Sequence, residues 1–435
     1  MIKNNIVIID IHDPYNLIII ASLVIILSFL FGALSEKTNI PSVLMLIVLG
    51  IIIKLGLDAM GLSEKLHFLS ILEVLGIVGL IMIVLEAALE LELKPEKIRP
   101  ILAALVIAFS GLLLSTWVAA LILHHFIEGM SMQAAWIYAS PLSILSSAII
   151  IPSVSNLHER KKEFHIYEST FSDILGIMLF YFLTERVEQT EEASGFIGFL
   201  GNVGLTVAIA VIASYLIVLI FQNIKGHVKL FLLISVLLLL YSLGKKMHLS
   251  SLIIVLIFGL VIGNMKLFFK GRLSKWLQIE KAKLIYENLH TITIETAFVV
   301  RTFFFVIFGI TIVLKSLLSV HVAMVSGLIL LSIYLIRIVL LRLLLGADIV
   351  PQLFIAPRGL ITVLLFYAIP KSVKVEAFEP GILLFIIIAT SLIMTFAMVY
   401  DKRRSNQAFN RANKSPVGYT SWKAPTIAPK KEEKK

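Results

Sequence analysis

Apolar residues fall in blocks of about twenty along nearly the whole 435-residue chain, separated by short polar stretches. A helix of that length, rising about 1.5 Å per residue, crosses the roughly 30 Å hydrocarbon layer of a bilayer. Read in windows of this size, the pattern predicts thirteen spans. The first seven are Pro14–Leu34, Pro41–Leu57, Phe68–Leu91, Ile98–His124, Met132–Val154, Ile166–Thr184 and Phe196–Ile224. The other six are Val228–Leu243, Leu249–Leu267, Thr293–Leu314, His321–Leu345, Ile349–Pro370 and Phe378–Tyr400. The segment Lys270–His290, with Trp276, Leu277, Ile279 and Leu284, is amphipathic and predicts a helix on the inner membrane surface or a link between two halves. Beyond Tyr400 the apolar pattern stops. Residues 401–435 are polar and basic, carry Pro416, Pro425 and Pro429, and predict a disordered tail after a transmembrane unit of residues 1–400.

Composition agrees with the pattern. The chain is 59% hydrophobic and 15% charged, where a soluble domain is about one-quarter charged. The class is therefore an all-α polytopic membrane protein whose first partner is the lipid bilayer. The run Tyr15–Leu34 is too long for a signal-peptide core and follows Asp10 and Asp13, not a basic leader, so it reads as a retained span. The absence of cysteine excludes disulfides, thiolate metal sites and cysteine nucleophiles. The net charge of +10 lies largely in loops and tail and calls for no nucleic acid. Lysine and arginine concentrate after odd-numbered spans, as in Lys94, Lys97 and Arg99, in Arg160, Lys161 and Lys162, and in the tail. By the positive-inside rule that side is cytoplasmic. An odd span count then puts the N-terminus outside and the C-terminus inside, in a plasma membrane of the bacterial inner-membrane kind, with the acidic loop Glu185–Glu192 outside.

Two spans carry helix breakers. Span 5 has Pro141 and Pro152 around Ser143, Ser146 and Ser147, and span 12 has Pro351 and Ala356-Pro357-Arg358-Gly359. In the expected topology they run in opposite directions. Paired interrupted spans of opposite direction point to inverted repeats and a binding site at the breaks. Set against this, prolines in membrane helices are also common simple kinks.

Ionisable residues inside spans sharpen the picture. Asp173 lies about seven residues into span 6, roughly 10 Å deep, where a carboxylate costs about 2.5 kcal/mol or more. Ser169, Ser172, Asp173 and Gly176 are spaced i, i+3, i+4, i+7 and share one face. An oxygen-bearing stripe of this kind suits a hard monovalent cation or a proton. Glu73, Glu86, Glu90, Glu168 and Glu295 are further acids in spans, and Arg301, Arg337, Arg342 and Arg358 the bases, with Arg342 near enough to an end to snorkel. Pairing of opposite charges to lock helices together is the other reading of these groups.

Four stretches together resemble one family, the monovalent cation/proton antiporters that include the sodium/proton exchangers. Glu168-Ser169-Thr170-Phe171-Ser172-Asp173 resembles the family's Glu-Ser-x-x-Asn-Asp of span 6. Leu85-Glu86-Ala87-Ala88-Leu89-Glu90-Leu91 resembles the span-3 motif, Pro357-Arg358-Gly359 the Leu-Arg-Gly of the second broken helix, and Phe303–Gly309 the span-10 signature. In order and spacing they cover the chain from about Pro14 to Tyr400. The resemblance implies a core domain and a dimerisation domain, a homodimer, and two discontinuous helices, spans 5 and 12, crossing at their unwound centres. It implies Asp173 as the Na⁺ and proton site, with Ser169, Ser172, Ser146 and Ser147 as neighbouring ligands and Glu86 as a nearby acid. It further implies that Glu168 pairs with Arg337 and that Arg301 and Arg358 are structural or counter-charges. The sequence departs from the pattern at Ser172, which replaces the asparagine, and at Ser146-Ser147-Ala148, which lacks the acid of Thr-Asp-Pro. Arg301 stands where the electrogenic branch has lysine.

The expected function is exchange of Na⁺, or another small monovalent cation, for protons, with no cofactor. A potassium/proton antiporter or potassium efflux system is the alternative; such systems usually carry a nucleotide-binding domain, which the 35-residue tail is too short to form. An intramembrane enzyme lacks any Gly-x-Ser-x-Gly, His-Glu-x-x-His or paired-aspartate pattern. A purely structural bundle leaves Asp173 and both breaks without a purpose.

Overall fold

The computed structural model describes residues 14–38, 40–59, 68–91, 93, 95–154, 157–188, 196–224, 229–246, 251–269, 278–311, 314–317, 319–346 and 348–414. Among these residues there are helices and no strands. In chain order they are α1 (Pro14–Thr38), α2 (Ser42–Ala59), α3 (Phe68–Glu90), α4 (Ile98–Phe126), α5 (Met132–Ser143), α6 (Ser147–Ser153), α7 (Glu159–Glu188) and α8 (Phe196–Phe221). Then follow α9 (Lys229–Lys246), α10 (Ser251–Gly263), α11 (Met265–Phe268), α12 (Ile279–Thr311), α13 (Leu314–Leu317), α14 (Val320–Leu345), α15 (Leu360–Tyr367) and α16 (Gly381–Lys414). Among the described residues nine stretches are long and apolar enough to cross a membrane, and Ser251–Gly263 is a shorter apolar helix.

Three helices run further than the apolar windows. Helix α7 continues to Glu188, into the acidic stretch expected to be loop. Helix α12 is continuous from Ile279, so residues 279–290 are the first turns of a spanning helix and not a separate surface helix; residues 270–277, with Trp276 and Leu277, lie outside the described residues. Helix α16 runs through Lys414 and not to Tyr400, while residues 415–435 lie outside the described residues. The cause is common to all three. A helix already nucleated in the membrane propagates through polar residues until a breaker intervenes, and no glycine or proline occurs between Tyr400 and Pro416 or between Ile279 and Gly309.

Packing falls into two groups. Helix α4 lies along α5, α7 and α14, α7 lies along α6, and α14 lies along α16; this is the group that holds both breaks. In the other group α12 lies along α2 and α3, and α10 along α3, α8 and α9. Contacts between the groups are sparser, chiefly α3 against α7 and α15, α10 against α7, and α1 against α6. Large apolar side chains on the outer faces, such as Ile18, Phe29, Ile212 and Ile220, are exposed, as an apolar surround allows.

The second group is locked where α2 crosses α12. A Cβ added to Gly50 would collide with the Val306 carbonyl and Gly309 Cα, and one added to Gly309 with the Ile47 carbonyl. Membrane helices gain association energy from such close backbone approach, since lipid removes the hydrophobic drive between them. Gly309→Val should lower the thermal unfolding temperature in detergent, corresponding to about 1–3 kcal/mol of overpacking or more. Gly327→Val, with open space around it, should leave the temperature nearly unchanged in the same measurement.

Candidate ion site

The site grows out of the two breaks. Helix α5 carries Pro141 in its last turn and ends at Ser143, and the chain is extended at Ile144 and Ser146 before α6 starts at Ser147. On the other strand of the chain, Ile355–Gly359 is non-helical and α15 starts at Leu360. The two unwound pieces meet: the Ser146 amide donates to the Pro357 carbonyl at 3.0 Å. Helix α7 closes the third side. Ser172 Oγ accepts the Leu145 amide at 3.0 Å, and Asp173 Oδ2 accepts the Ser147 amide at 3.3 Å. Gly176 lets α7 come this near, for a Cβ there would overlap the Ile144 side chain.

Asp173 is buried, and its Oδ1 has no hydrogen-bond partner among the described residues. It lines a small cavity whose other walls are apolar: Ile83 and Val84 of α3, Ile177 and Met178 of α7, Leu252 and Leu256 of α10, and Ile361 of α15. The cavity therefore sits on the seam between the two helix groups. A buried carboxylate with one oxygen free calls for a proton or a cation.

The other sequence candidates divide. Ser172, Ser146 and Ser147 come together with Asp173. Ser169 is buried on the same helix, but its hydroxyl donates to the His165 carbonyl at 2.7 Å and the Ile166 carbonyl at 3.3 Å. Glu86 makes no hydrogen bond to Asp173 among the described residues. It receives Arg301 Nη2 on both oxygens at 3.2 and 3.1 Å, while Arg301 Nη1 donates across the seam to the Ala148 carbonyl at 3.2 Å. Glu295 and Arg342 are exposed; the Glu73 side chain lies outside the described residues.

Two arginines serve the backbone. Arg337 donates to Glu168 at 2.7 and 3.4 Å, and also to the carbonyls of Gln352 at 2.9 Å, Leu353 at 3.2 Å and Ile355 at 3.2 Å. It thus satisfies carbonyls orphaned ahead of the second break. Arg358 is buried without an ion pair among the described residues, donating to the carbonyls of Leu142 at 2.9 Å and Ala356 at 2.8 Å, one in each broken element. Its own amide reaches Thr390 Oγ1 at 3.0 Å. Sequence reasoning missed Thr390 and missed His165, whose Nδ1 lies 3.2 Å from Glu168 Oε2. The i, i+3 spacing of His165 and Glu168 is a signal that could have found the latter.

Two unwound helix segments hydrogen-bonded to each other, beside a buried carboxylate oxygen with no partner among the described residues, are the arrangement of an ion-handling membrane transporter. The model of the family described as "Sodium/hydrogen exchanger, transmembrane" matches residues 23–400, and the chain belongs to that family. It is an integral membrane cation/proton antiporter. Among solved structures it is similar to that of the sodium proton antiporter MjNhaP1 from Methanocaldococcus jannaschii at pH 8, with a TM-score of 0.63 and 19% identity over 88% of this chain and 95% of that one. An electron-microscopy map of the same protein gives a TM-score of 0.62 and 21% identity over 94% of this chain and 99% of that one. No curated protein matches the sequence.

The Glu168–Arg337 pair should stabilise the first helix group as a unit. Removing one member strands the other in a poorly solvated place, at about 3–5 kcal/mol. Glu168→Gln and Arg337→Gln should each lower the unfolding temperature, and the double variant should lose less than the sum. Thermal unfolding of the three purified proteins checks this; strict additivity would show that the pair does not couple.

Proposed function

We propose that the protein exchanges Na⁺, or another small monovalent cation, for protons at Asp173, by alternating access. The observation that carries the reading is the buried Oδ1 of Asp173, without a partner among the described residues, at the junction of both breaks. Asp173 holds either the proton or the cation, so transport is competition for one carboxylate. Oxygens of the unwound segments and of Ser172, Ser146, Ser147 and Ser169 replace part of the cation's water. Access changes when the group containing the breaks slides past the group containing α2, α3 and α12. The sparse contacts along the seam suit such a movement, and the lock at Gly50 and Gly309 keeps the other group rigid. The protein acts as a homodimer in a plasma membrane, N-terminus outside and C-terminus in the cytoplasm, needs no cofactor and engages no nucleic acid.

Asp173→Asn keeps the shape and removes the titrating group. It should abolish cation-driven collapse of a pH gradient in proteoliposomes while leaving the protein folded. Substantial exchange by the folded variant would sink the mechanism. Wild-type exchange should fall as the pH is lowered, because protons then occupy the carboxylate that the cation needs; a rate that rises steadily into the acid range would contradict single-site competition.

The exchange should be electroneutral, one cation for one proton. Ser172 carries no charge, the first break has no acid, and Glu86 is committed to Arg301. Arginine stays protonated in nearly all protein settings, so Arg301 serves as a fixed counter-charge and not as a proton carrier. Exchange rates measured with the membrane potential clamped at several values should not respond to it.

A further inference from the structure

The polar stripe of α7 starts one turn before Glu168. His165, Glu168, Ser169, Ser172 and Asp173 follow at i, i+3, i+4, i+7 and i+8 and share one helix face. His165 and Glu168 are both buried. Arg337 Nη2 has two hydrogens and three oxygens near it: the carbonyls of Gln352 at 2.9 Å and Ile355 at 3.2 Å, and Glu168 Oε2 at 3.4 Å. The two hydrogens serve the carbonyls, and the carboxylate oxygen is the far one. Nη1 alone grips the acid, on Oε1 at 2.7 Å, while Nε donates to the Leu353 carbonyl at 3.2 Å. Glu168 Oε2 is met instead by His165 Nδ1 at 3.2 Å. An ionised carboxylate only accepts, so Nδ1 carries the hydrogen. Nε2 is buried without a partner among the described residues, a place that suits the bare lone pair of a neutral ring. One turn earlier, Lys161 Nζ reaches the Val350 carbonyl and Asp348 Oδ2, both at 2.9 Å. Side chains of α7 and α14 thus hold residues 348–355, which lead into the second break.

We propose that His165 is a positioning residue for the exchange: by giving Glu168 Oε2 its hydrogen, it frees Arg337 Nη2 for the Gln352 and Ile355 carbonyls and so fixes the backbone of the second break. This rests on the reading of the two breaks as the ion site. An arginine beside a carboxylate readily closes on both oxygens with two parallel bonds. Closure of that kind here would draw Nη2 off the carbonyls. Buried carbonyls without a donor are costly, and lipid offers them none, so the segment would loosen. Residues 355–359, whose Pro357 carbonyl takes the Ser146 amide, would then no longer meet the first break in one arrangement. The work asked of His165 is donation from a fixed place, without a change of charge. Another neutral side chain with an N–H at that place does the same, and an apolar one does not.

The test compares full-length wild type, His165→Phe and His165→Asn. Each is titrated in proteoliposomes with NaCl or KCl, whichever the wild type exchanges, and amide hydrogen exchange is followed by mass spectrometry. His165→Phe keeps a ring and removes the donor; His165→Asn sets a side-chain N–H near the place of Nδ1. His165→Phe should speed amide exchange in residues 352–359 and raise the half-saturating cation concentration on the order of fivefold, the factor that one net hydrogen bond represents. His165→Asn should bring both back to within about twofold of wild type. Its pH–rate profile should overlay that of wild type, since the ring takes no part in proton movement. Unchanged amide exchange in residues 352–359 of a folded His165→Phe protein overturns the proposal. So does a His165→Asn protein that transports no better than His165→Phe, or one whose pH profile is displaced, since His165 would then be exchanging protons. Should His165→Phe not fold, His165→Asn decides alone: wild-type amide exchange and half-saturation uphold the proposal, and a rise in either overturns it. Exchange that survives Asp173→Asn contradicts the reading of the ion site while leaving the amide-exchange result standing, which separates the two failures.

Discussion

In a bilayer a broken helix must send its free backbone groups to the protein itself or to a water-filled cavity, since lipid offers them no partner. That constraint organises this molecule. The first break exposes amides and carbonyls around residues 142–147, and the second does the same around 352–359. Each is the other's nearest source of partners. Ser146 bonds to Pro357 directly, Arg358 ties Leu142 to Ala356, Arg337 gathers three further carbonyls, and Ser172 and Asp173 take the remaining amides from α7. The site is the place where that satisfaction is nearly complete, and the Asp173 oxygen is where it stops short.

The charges divide accordingly between scaffold and chemistry. Arg337 and Glu168 are buried together and hold α14 to α7, with His165 on the far oxygen. Arg301 and Glu86 join α12 to α3, and only Arg301 reaches over the seam. Arg358 neutralises no acid directly; it bonds to carbonyl oxygens, including one near the C-terminal end of α5, where the helix dipole favours a cation. Opposite charges in a membrane interior can thus be structural without being equivalent. One pair braces a helix group, another borders the seam, and a lone arginine braces the breaks.

Much of the fold was legible because lipid imposes a single length on every spanning helix, and apolar runs of that length are easy to read. The breaks were legible from Pro141 and from Pro357-Arg358-Gly359, since proline removes a donor wherever it stands. Helix ends were less so: α7 and α16 continue through charged residues because nothing in the sequence stops them, and hydropathy alone does not mark where a helix ends in water. At the site, the stripe Ser169, Ser172, Asp173, Gly176 showed one face of one helix but not what the face meets. The structure turns the Ser172 oxygen to a backbone amide and uses the absent side chain of Gly176 to admit Ile144. Glu86 shows the limit most clearly. Its place in a motif suggested an acid near Asp173 but not a pairing with Arg301, 215 residues away in the chain, and no local pattern encodes that distance.

The apolar lining around Asp173 has a consequence for leakage. When the carboxylate carries neither proton nor cation, its Oδ1 holds charge with no donor among the described residues and faces isoleucine, leucine and methionine. Dragging it past those walls would strip its last hydration with nothing in exchange, at several kcal/mol for a group of this kind. A neutral, loaded carboxylate escapes most of that penalty. If Asp173 is the exchange site proposed above, the greasy walls act as a ratchet tooth against empty return. On the proposed mechanism each stroke would carry something, and a gradient of one ion would not drain through the protein without moving the other.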